Sequence, residues 1–287
     1  MENKLPKIII VVGTTASGKT DLAIELANKY NGEIINADAF QVYKELKIGT
    51  ARATDEEKKK AKFYLDGEIS IFDRWDISEF QKRANTIIED ILSRKKMPII
   101  VGGSNLYIDC LINNYKLDNV AQRSDLYDDL SNEKLYSMLL EKNANLSKKI
   151  DANNHQRLVR ALQILDNKQT LVERDEPKYN PVFVWAYYDR AVTYKRINER
   201  VDKMLEAGWI NEVESLLKLN KDLTSLNALK AIGYQQIIDS LTNNTKLDVE
   251  KIKTLTRHYA KRQLTWIRNH YNDAIKIYNL NINELII

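Results

Sequence analysis

The sequence predicts an α/β fold in which a parallel β-sheet is flanked by helices and carries a small all-helical insertion. Three observations support this prediction. Apolar runs of strand length alternate along the chain with segments of helical periodicity, as in repeated strand–helix–strand units. A glycine-rich turn joins the first apolar run to the first helical segment. Between about residues 115 and 169 the strand-like runs disappear and helical periodicity remains.

The elements follow from the spacing of apolar residues and from the turn residues between them. The predicted strands are 8–12, 33–38, 98–101, 181–187 and 275–278. The predicted helices are the segment that follows the glycine-rich turn, up to about residue 30, and then 78–94, 193–205, 210–219 and 248–271. Ser78 and Gln81 predict a capping box at the start of the second of these helices. We expect an α/β core over 1–114 and 176–287 and a helical insertion over 115–175.

The glycine-rich turn has a phosphate-binding sequence. It reads Gly-Thr-Thr-Ala-Ser-Gly-Lys-Thr, which has the spacing of a P-loop, and the strand and helix that this motif requires flank it. Backbone N–H groups of such a loop surround a di- or triphosphate at the positive end of a helix, and the sheet is therefore predicted to be P-loop NTPase-like. Lys19 adds a positive charge, and Thr20 adds a hydroxyl group for Mg²⁺. The predicted phosphate-binding residues are Gly13, Thr14, Thr15, Ala16, Ser17, Gly18, Lys19 and Thr20.

Composition excludes several classes of protein. Hydrophobic residues make up 44% and charged residues 29% of the 287 residues, which is typical of a folded globular protein and not of a disordered one. The single cysteine, Cys110, excludes an internal disulfide and a multi-cysteine zinc site. No apolar run approaches the ~20 residues that span a bilayer, and the polar N-terminus shows no signal peptide, so we expect a cytoplasmic protein.

Two further turns follow predicted strands at the same edge of the sheet. Asp38 ends the second strand, where a carboxylate beside a phosphate site can accept a proton or hold Mg²⁺ through water. A helix N-cap or a surface ion pair is the alternative role for Asp38. Phe40 and Gln41, close to that carboxylate, suit contact with a planar base. Ser104 follows two glycines after the third strand and can bind a substrate or cap the next helix.

Two basic segments predict a nucleic-acid surface. The segment 251–270 holds six lysines and arginines, two histidines and no acidic residue, with Tyr259 and Trp266 interleaved. An acid-free basic helix in a nearly neutral chain is typical of RNA binding, although a solvated helix with core aromatics would have the same composition. The second segment, Gln156-Arg157-Leu158-Val159-Arg160, lies in the predicted insertion.

With these segments assembled, the chain resembles the tRNA dimethylallyltransferases, also called tRNA isopentenyltransferases. The resemblance extends over nearly the whole chain, and its most specific segments are the one around Asp38 and the last basic block. The matching segments are 13–20, 36–43, 48–51, 102–107, 156–162, 196–204, 231–234 and 257–266. Ser104 stands where the family pattern has threonine, and Ala39 where it has serine.

The resemblance implies transfer of a dimethylallyl group from its diphosphate to the exocyclic N6 of the adenosine 3′-adjacent to the anticodon. Asp38 would remove the proton of the amine and Ser104 would orient the substrate, while the P-loop and Mg²⁺ would stabilise the leaving diphosphate. The implied partners are the anticodon stem-loop of tRNA and dimethylallyl diphosphate, with no membrane, and we expect a monomer. The residues expected to bind tRNA are Asp38, Ala39, Phe40, Gln41, Ser104, Gln156, Arg157, Leu158, Val159, Arg160, Lys253, Arg257, Lys261 and Arg262.

Two other functions are compatible with the same motifs. A small P-loop kinase acting on a nucleoside or metabolite shares the strand–loop–helix opening, and the insertion would then serve as its arginine-bearing lid. A nucleotide-gated RNA-binding module would use the same basic helix but would leave Asp38 without a role.

Overall fold

A computed structural model describes residues 4–117, 126–166, 174–219, 226–278, 281, 282 and 285. The chain divides into two compact units, Met1–Ile112 with Pro177–Ile287, and Asn113–Glu176. The first unit, here called the core unit, contains all strands found in the described residues, and the second, called the insertion, contains only helices as its regular elements there. The predicted fold class, an α/β chain with a helical insertion, is therefore confirmed.

The core unit is built on a sheet whose paired strands are all parallel. Its six strands are β1 (Lys7–Val12), β2 (Gly32–Asn36), β3 (Phe63–Tyr64), β4 (Met97–Val101), β5 (Asn180–Tyr187) and β6 (Ile275–Tyr278), in the spatial order β3-β2-β4-β1-β5-β6. The two-residue β3 was not predicted, because so short a strand leaves no alternation in the sequence. Since the strands point the same way, the loops that follow them lie at one edge, where parallel sheets bind ligands.

Helices cover the sheet on both faces. In chain order the described helices are α1 (Lys19–Tyr30), α2 (Asp55–Lys60), α3 (Ile77–Ser93), α4 (Asn105–Ile112), α5 (Asn132–Lys142), α6 (Ala144–Ser147), α7 (His155–Asp166), α8 (Arg190–Glu206), α9 (Trp209–Leu219), α10 (Tyr234–Thr242) and α11 (Val249–His270). Ile8, Ile10 and Val12 of β1 belong to one apolar cluster, and Ile9 and Val11 to another. Alternate residues of the strand are therefore buried on opposite faces, which explains its continuous apolar sequence.

The start of α3 differs from the prediction. Asp76 is the N-cap, because its carboxylate accepts hydrogen bonds from the backbone N–H groups of Ser78 and Glu79. The predicted capping box of Ser78 and Gln81 is therefore wrong, and Gln81 is buried, with its amide donating to the carbonyl oxygen of Cys110 at 3.1 Å. Aspartate and serine are equally good N-caps, so the spacing alone could not decide between two neighbouring candidates.

The insertion has an apolar core of its own, formed by α5, α6 and α7. Leu158 and Val159, two of the residues expected to bind tRNA, are only 0% and 4% exposed and pack into this core. Gln156 and Arg157, in the same turn of α7, are exposed, whereas Arg160 is half-buried. An RNA molecule could therefore reach the side chains of Gln156 and Arg157 but not those of Leu158 and Val159.

Candidate active site

Three loops leave the sheet side by side at its carboxyl edge. Val11 of β1 and Asn36 of β2 are both in register with Val101 of β4. The P-loop, the loop that contains Asp38 and the turn at Gly102 therefore begin at the same level on three adjacent strands. β2 ends at Asn36, so Asp38 lies in the loop and not in the strand as predicted.

The P-loop has the geometry of an anion-binding turn. Gly18 adopts a left-handed conformation, φ 75°, immediately before α1 begins at Lys19. A methyl group on Gly13 would lie 2.5 Å from Ser17 Oγ and 2.9 Å from the carbonyl oxygen of Ala186, so only glycine fits there. Ser17 Oγ is buried and has no hydrogen-bond partner among the described residues. A buried, unpartnered hydroxyl at a helix N-terminus suits a phosphate oxygen.

Lys19 lies against this loop, and its Nζ donates to the carbonyl oxygen of Thr14 at 2.7 Å. Burial of the ammonium group and the nearby positive charge of Arg200 lower the pKa of Lys19 to about 7, although Asp38 acts in the opposite direction. Thr20, the predicted Mg²⁺ ligand, follows in the first turn of α1 and is half-buried. The P-loop and Lys19 therefore combine backbone donors, a hydroxyl group and an amine that a bound anion would keep protonated.

Two arginines of α8 also contact or approach the P-loop, and sequence reasoning gave them no role. Arg196 Nε donates to the carbonyl oxygen of Ala16 at 2.7 Å, and its guanidinium lies 4.7 Å from the centre of the Tyr188 ring. Burial lowers the pKa of Arg200, while the opposite charge of Asp38 raises it. These two residues are one helical turn apart, and this spacing was the only signal in the sequence that they share a face.

The carboxylate of Asp38 uses one oxygen for the fold and presents the other. Oδ1 accepts from the backbone N–H groups of Phe40 at 2.9 Å and Gln41 at 3.3 Å. Neither of these bonds uses Oδ2, and a methyl group placed on Gly103 would lie 3.0 Å from that oxygen. The side chain therefore stabilises its own loop, as a cap would, and still offers an acceptor oxygen.

Ser104 joins the turn after β4 to the Asp38 loop. Its Oγ accepts from the backbone N–H of Ala39 at 3.0 Å, and its own N–H donates to the carbonyl oxygen of Ala37 at 3.2 Å. The hydroxyl hydrogen remains available for donation to a ligand. The structure therefore brings together Asp38, Ala39 and Ser104, three of the predicted site residues.

Gln41 and Phe40 are less available to a ligand than the sequence indicated. The amide nitrogen of Gln41 donates to the carbonyl oxygens of Thr50 at 2.9 Å and Ala51 at 3.2 Å, and its Oε1 accepts from Asn36 at 3.0 Å. Phe40 is half-buried and packs against the apolar core. The amide of Gln41 thus holds the loop in place.

Some basic residues of α11 are held by acidic, amide or hydroxyl partners, and others are exposed. Lys253 forms ion pairs with Asp202 at 2.8 Å and Glu250 at 3.3 Å. Arg257 donates to Asn198 Oδ1 and Thr254 Oγ1, both at 2.7 Å. Lys261 and Arg262 are exposed and face an open groove on the outer side of the helix. The groove is lined by His258, Lys261, Arg262, Thr265, Trp266, Asn269 and His270.

The inner face of α11 contacts the active-site loops, which the sequence did not reveal. Gln263 accepts from the N–H of Thr15 in the P-loop at 2.7 Å and donates to the carbonyl oxygen of Gly103 at 2.9 Å. The hydroxyl of Tyr259 donates to the same oxygen at 2.8 Å. α11 therefore presents cations outward and hydrogen-bonding side chains inward.

No helix in the described part of the chain combines the length and the apolar character needed to cross a membrane.

Comparisons with known proteins agree over most of the chain. A family model described as IPP transferase matches residues 41–270. The tRNA dimethylallyltransferases of Malacoplasma penetrans and Acetivibrio thermocellus are 41% and 38% identical to it, over 98% of this chain in both cases and over 95% and 93% of the relatives. Among solved structures, a tRNA isopentenylpyrophosphate transferase of Bacillus halodurans has a TM-score of 0.72 and 32% identity, covering 95% of this chain and 89% of that one. A eukaryotic dimethylallyltransferase described as acting on tRNA has a TM-score of 0.80 and 27% identity, covering 97% of this chain and 75% of that one.

Proposed function

The chain belongs to the IPP transferase family, and we propose that it transfers a dimethylallyl group from dimethylallyl diphosphate to N6 of the adenosine 3′-adjacent to the anticodon in certain tRNAs, releasing diphosphate. As a member of that family it is a transferase that modifies tRNA. One observation supports the finer proposal most. A phosphate cradle with a buried, unpartnered hydroxyl and a carboxylate with an available oxygen occupy neighbouring loops at one edge of the sheet. The family match does not favour a kinase.

The donor diphosphate is proposed to lie in the P-loop. Backbone N–H groups at the start of α1 and the Ser17 hydroxyl would donate to its oxygens, and Lys19 would add a charge. Arg196 and Arg200 lie close enough to supply further positive charge on the side of α8. Groups of this kind stabilise negative charge that develops on the departing oxygen, which is the main requirement of an alkyl transfer from a diphosphate.

Mg²⁺ is the proposed cofactor, and the residues present fit it. Mg²⁺ binds oxygen ligands, keeps several waters and is often shared between one or two protein groups and substrate phosphates. The hydroxyl of Thr20, next to the loop that would hold the diphosphate, supplies one such oxygen. When bound, the ion would neutralise charge on the leaving diphosphate.

The acceptor is proposed to meet the donor at Asp38. The bond between N6 and C1 of the dimethylallyl group forms while the bond between C1 and the diphosphate oxygen breaks, and the N6 proton passes to Oδ2 of Asp38. Ser104 can donate its hydroxyl hydrogen to the adenine ring, because the N–H of Ala39 already donates to its oxygen and so orients the hydroxyl group. The adenine must leave its stack to reach these groups, which costs a few kcal/mol and less in a loop than in a duplex.

The exposed cations are proposed to contact the tRNA backbone. Among the residues predicted to bind tRNA, the exposed cations are Lys261 and Arg262 on α11 and Arg157 on α7, where Gln156 is exposed beside it. Phosphate contacts of this kind supply sequence-independent affinity, which would offset the cost of everting the base. We also propose a monomer that acts in the cytoplasm, and sedimentation of the free enzyme tests the oligomeric state.

The proposed function is tested by ligand preference. The protein is incubated with tRNA and Mg²⁺ and either labelled dimethylallyl diphosphate or labelled ATP, and tRNA nucleosides are identified by mass spectrometry. We expect N6-dimethylallyladenosine and released diphosphate from the first donor. Transfer of label from ATP to a small acceptor would instead support a kinase, and tight RNA binding without transfer would support a binding module.

A further inference from the structure

Gln263 is a buried polar residue that the proposed reaction does not use directly. Its side chain is 2% exposed and lies on the inner face of α11. Its Oε1 accepts from the N–H of Thr15 at 2.7 Å, and its Nε2 donates to the carbonyl oxygen of Gly103 at 2.9 Å. One amide thus connects the loop proposed to hold the diphosphate with the turn after β4.

Tyr259, one turn earlier on the same face, reinforces this connection. Its hydroxyl donates to the carbonyl oxygen of Gly103 at 2.8 Å, and burial raises the pKa of the phenol, so it remains a donor at neutral pH. A methyl group on Gly103 would lie 2.9 Å from Gln263 Nε2, 3.0 Å from Asp38 Oδ2 and 3.2 Å from the Tyr259 hydroxyl. Gly103 therefore lies between α11 and the carboxylate proposed to act as the base.

The connection continues from Gly103 to the Asp38 loop. Ser104 donates its N–H to the carbonyl oxygen of Ala37 at 3.2 Å and accepts from the N–H of Ala39 at 3.0 Å. A hydrogen-bonded path therefore runs from Thr15 through Gln263, Gly103 and Ser104 to the residues on either side of Asp38. It links the donor side of the site to the acceptor side.

We propose that Gln263 is a positioning residue, which fixes the separation between the P-loop and Asp38 so that the donor carbon and the acceptor amine meet in line. This inference rests on the proposed function. Glutamine suits the position because its amide carries a donor and an acceptor at the end of a long side chain. Glutamate would keep only the acceptor, and methionine would keep the volume but neither group.

The test compares Gln263→Met with a matched variant, Gln81→Met. Gln81 is also a buried glutamine of the core unit, and its amide donates to the carbonyl oxygen of Cys110 in α4. Both proteins are assayed for the single-turnover rate of prenyl transfer to an anticodon stem-loop, the KM for that RNA, the Kd of inorganic pyrophosphate and the melting temperature. Tyr259→Phe, which removes only a hydroxyl, is assayed alongside.

We expect Gln263→Met to lower the single-turnover rate by about 10- to 100-fold, the usual cost of a misplacement of about 1 Å. The KM for RNA and the Kd of pyrophosphate should stay within about threefold of the wild type, because the groups that contact each ligand remain. Gln81→Met should lower the melting temperature about as much as Gln263→Met does, but it should change the rate by less than about twofold. Tyr259→Phe should lower the rate by about 3- to 10-fold, since the second bond to Gly103 remains.

Three results would overturn the inference. An unchanged rate in Gln263→Met, with only the melting temperature lowered, would make the bonds structural. If the Kd of pyrophosphate rises by the same factor as the rate falls, Gln263 acts in binding the donor. If Gln263→Met does not fold, an unchanged rate in Tyr259→Phe overturns the inference in its place. A wild-type enzyme that prenylates no adenosine would reject the proposed function itself, which this assay detects separately.

Discussion

Two carboxylates stand at opposite ends of β2, and they differ in how completely they are bound. Glu33 is 2% exposed, and its oxygens accept from both terminal nitrogens of Arg94 at 2.6 and 2.7 Å, from Lys96 at 2.7 Å and from the hydroxyl of Tyr64 at 2.7 Å. Asp38, two residues beyond the other end, accepts two backbone N–H groups, both on Oδ1.

This difference separates a carboxylate that stabilises the fold from one that can react. The hydrogen bonds from Arg94, with those from Lys96 and Tyr64, hold the pKa of Glu33 well below its ordinary value of 4.5, although burial opposes them. A carboxylate held in this way has no oxygen for a ligand. At the carboxyl edge of the sheet, Ser17 Oγ is buried without a partner among the described residues, and Oδ2 of Asp38 takes no part in the two bonds that hold its loop, so a substrate can bind to both atoms.

The largest expected effect is that of Asp38→Asn. The amide keeps an oxygen for the N–H groups of Phe40 and Gln41 but cannot accept the N6 proton. We expect the single-turnover rate to fall by about 10²- to 10⁴-fold, the range for loss of a general base, with tRNA affinity and melting temperature little changed. A loss of tRNA affinity at an unchanged rate would show that Asp38 binds the substrate and does not act as the base.

Glu33→Gln should lower the stability of the protein and leave its reaction rate unchanged, the reverse of what is expected for Asp38→Asn. Removing the charge leaves Arg94 and Lys96 without their shared anion, but both side chains are about one-third exposed, at 35% and 36%, so water can partly replace it. We expect the free energy of unfolding at pH 7 to fall by about 1–3 kcal/mol and the rate of prenyl transfer at a permissive temperature to stay unchanged. Urea denaturation and the transfer assay measure the two quantities, and a loss of rate in a folded variant would contradict the comparison.

The wild type and Glu33→Gln should also differ in how their stability depends on pH. Because the pKa of Glu33 is lower in the folded chain than in the unfolded one, its contribution to stability is present above about pH 4.5 and is lost as the pH falls below that value. The stability difference between wild type and Glu33→Gln should therefore shrink progressively below pH 4.5. A difference that stays constant down to the acid transition would mean that the ion pairs do not set it.

A smaller effect is expected at the carboxyl edge of the sheet, where the charge of Lys19 should make pyrophosphate binding depend on pH. Its pKa of about 7 means that the ammonium is largely deprotonated above pH 7 in the free protein and must take up a proton when a diphosphate binds. Pyrophosphate affinity should therefore weaken by up to about tenfold per pH unit above 7. Lys19→Arg keeps the charge without titrating there, so calorimetry in two buffers should show proton uptake in the wild type that is absent from this variant.

The smallest expected effect is a difference in the salt dependence of tRNA binding between variants of the exposed cations of α11 and a variant of Arg257, which is held by hydrogen bonds. Arg262→Gln and Lys261→Gln should each reduce the salt slope of tRNA binding by about one, as expected for loss of one phosphate contact. Arg257→Gln should change that slope less, because its guanidinium is held by Asn198 and Thr254. Equal slopes for all three variants would mean that the hydrogen bonds of Arg257 do not withhold it from RNA.

Much of the candidate site could be read from the sequence because its requirements are local. The strand, the Gly-x-x-x-x-Gly-Lys-Thr turn and the helix of the P-loop are consecutive, and the parallel sheet follows from alternating strands and helices. Since parallel strands end at one edge, Asp38 and Ser104 were expected beside that loop, and they are joined through Ala39. The start of α3 could not be read in this way, because Asp76 and Ser78, two positions apart, could each cap the helix.

What the sequence by itself determined was therefore the fold class, the P-loop and the sheet edge at which a phosphorylated ligand would meet Asp38. Only the tertiary structure decided which side chains complete that edge. Arg196 reaches the P-loop from 180 residues away in the chain and Gln263 from 248, so no spacing in the sequence could connect them. The packing of α8 beside α11 likewise decided that Lys253 is paired. The physical reason is that helical periodicity defines the face of a helix, whereas the groups opposite that face depend on which distant segment packs against it.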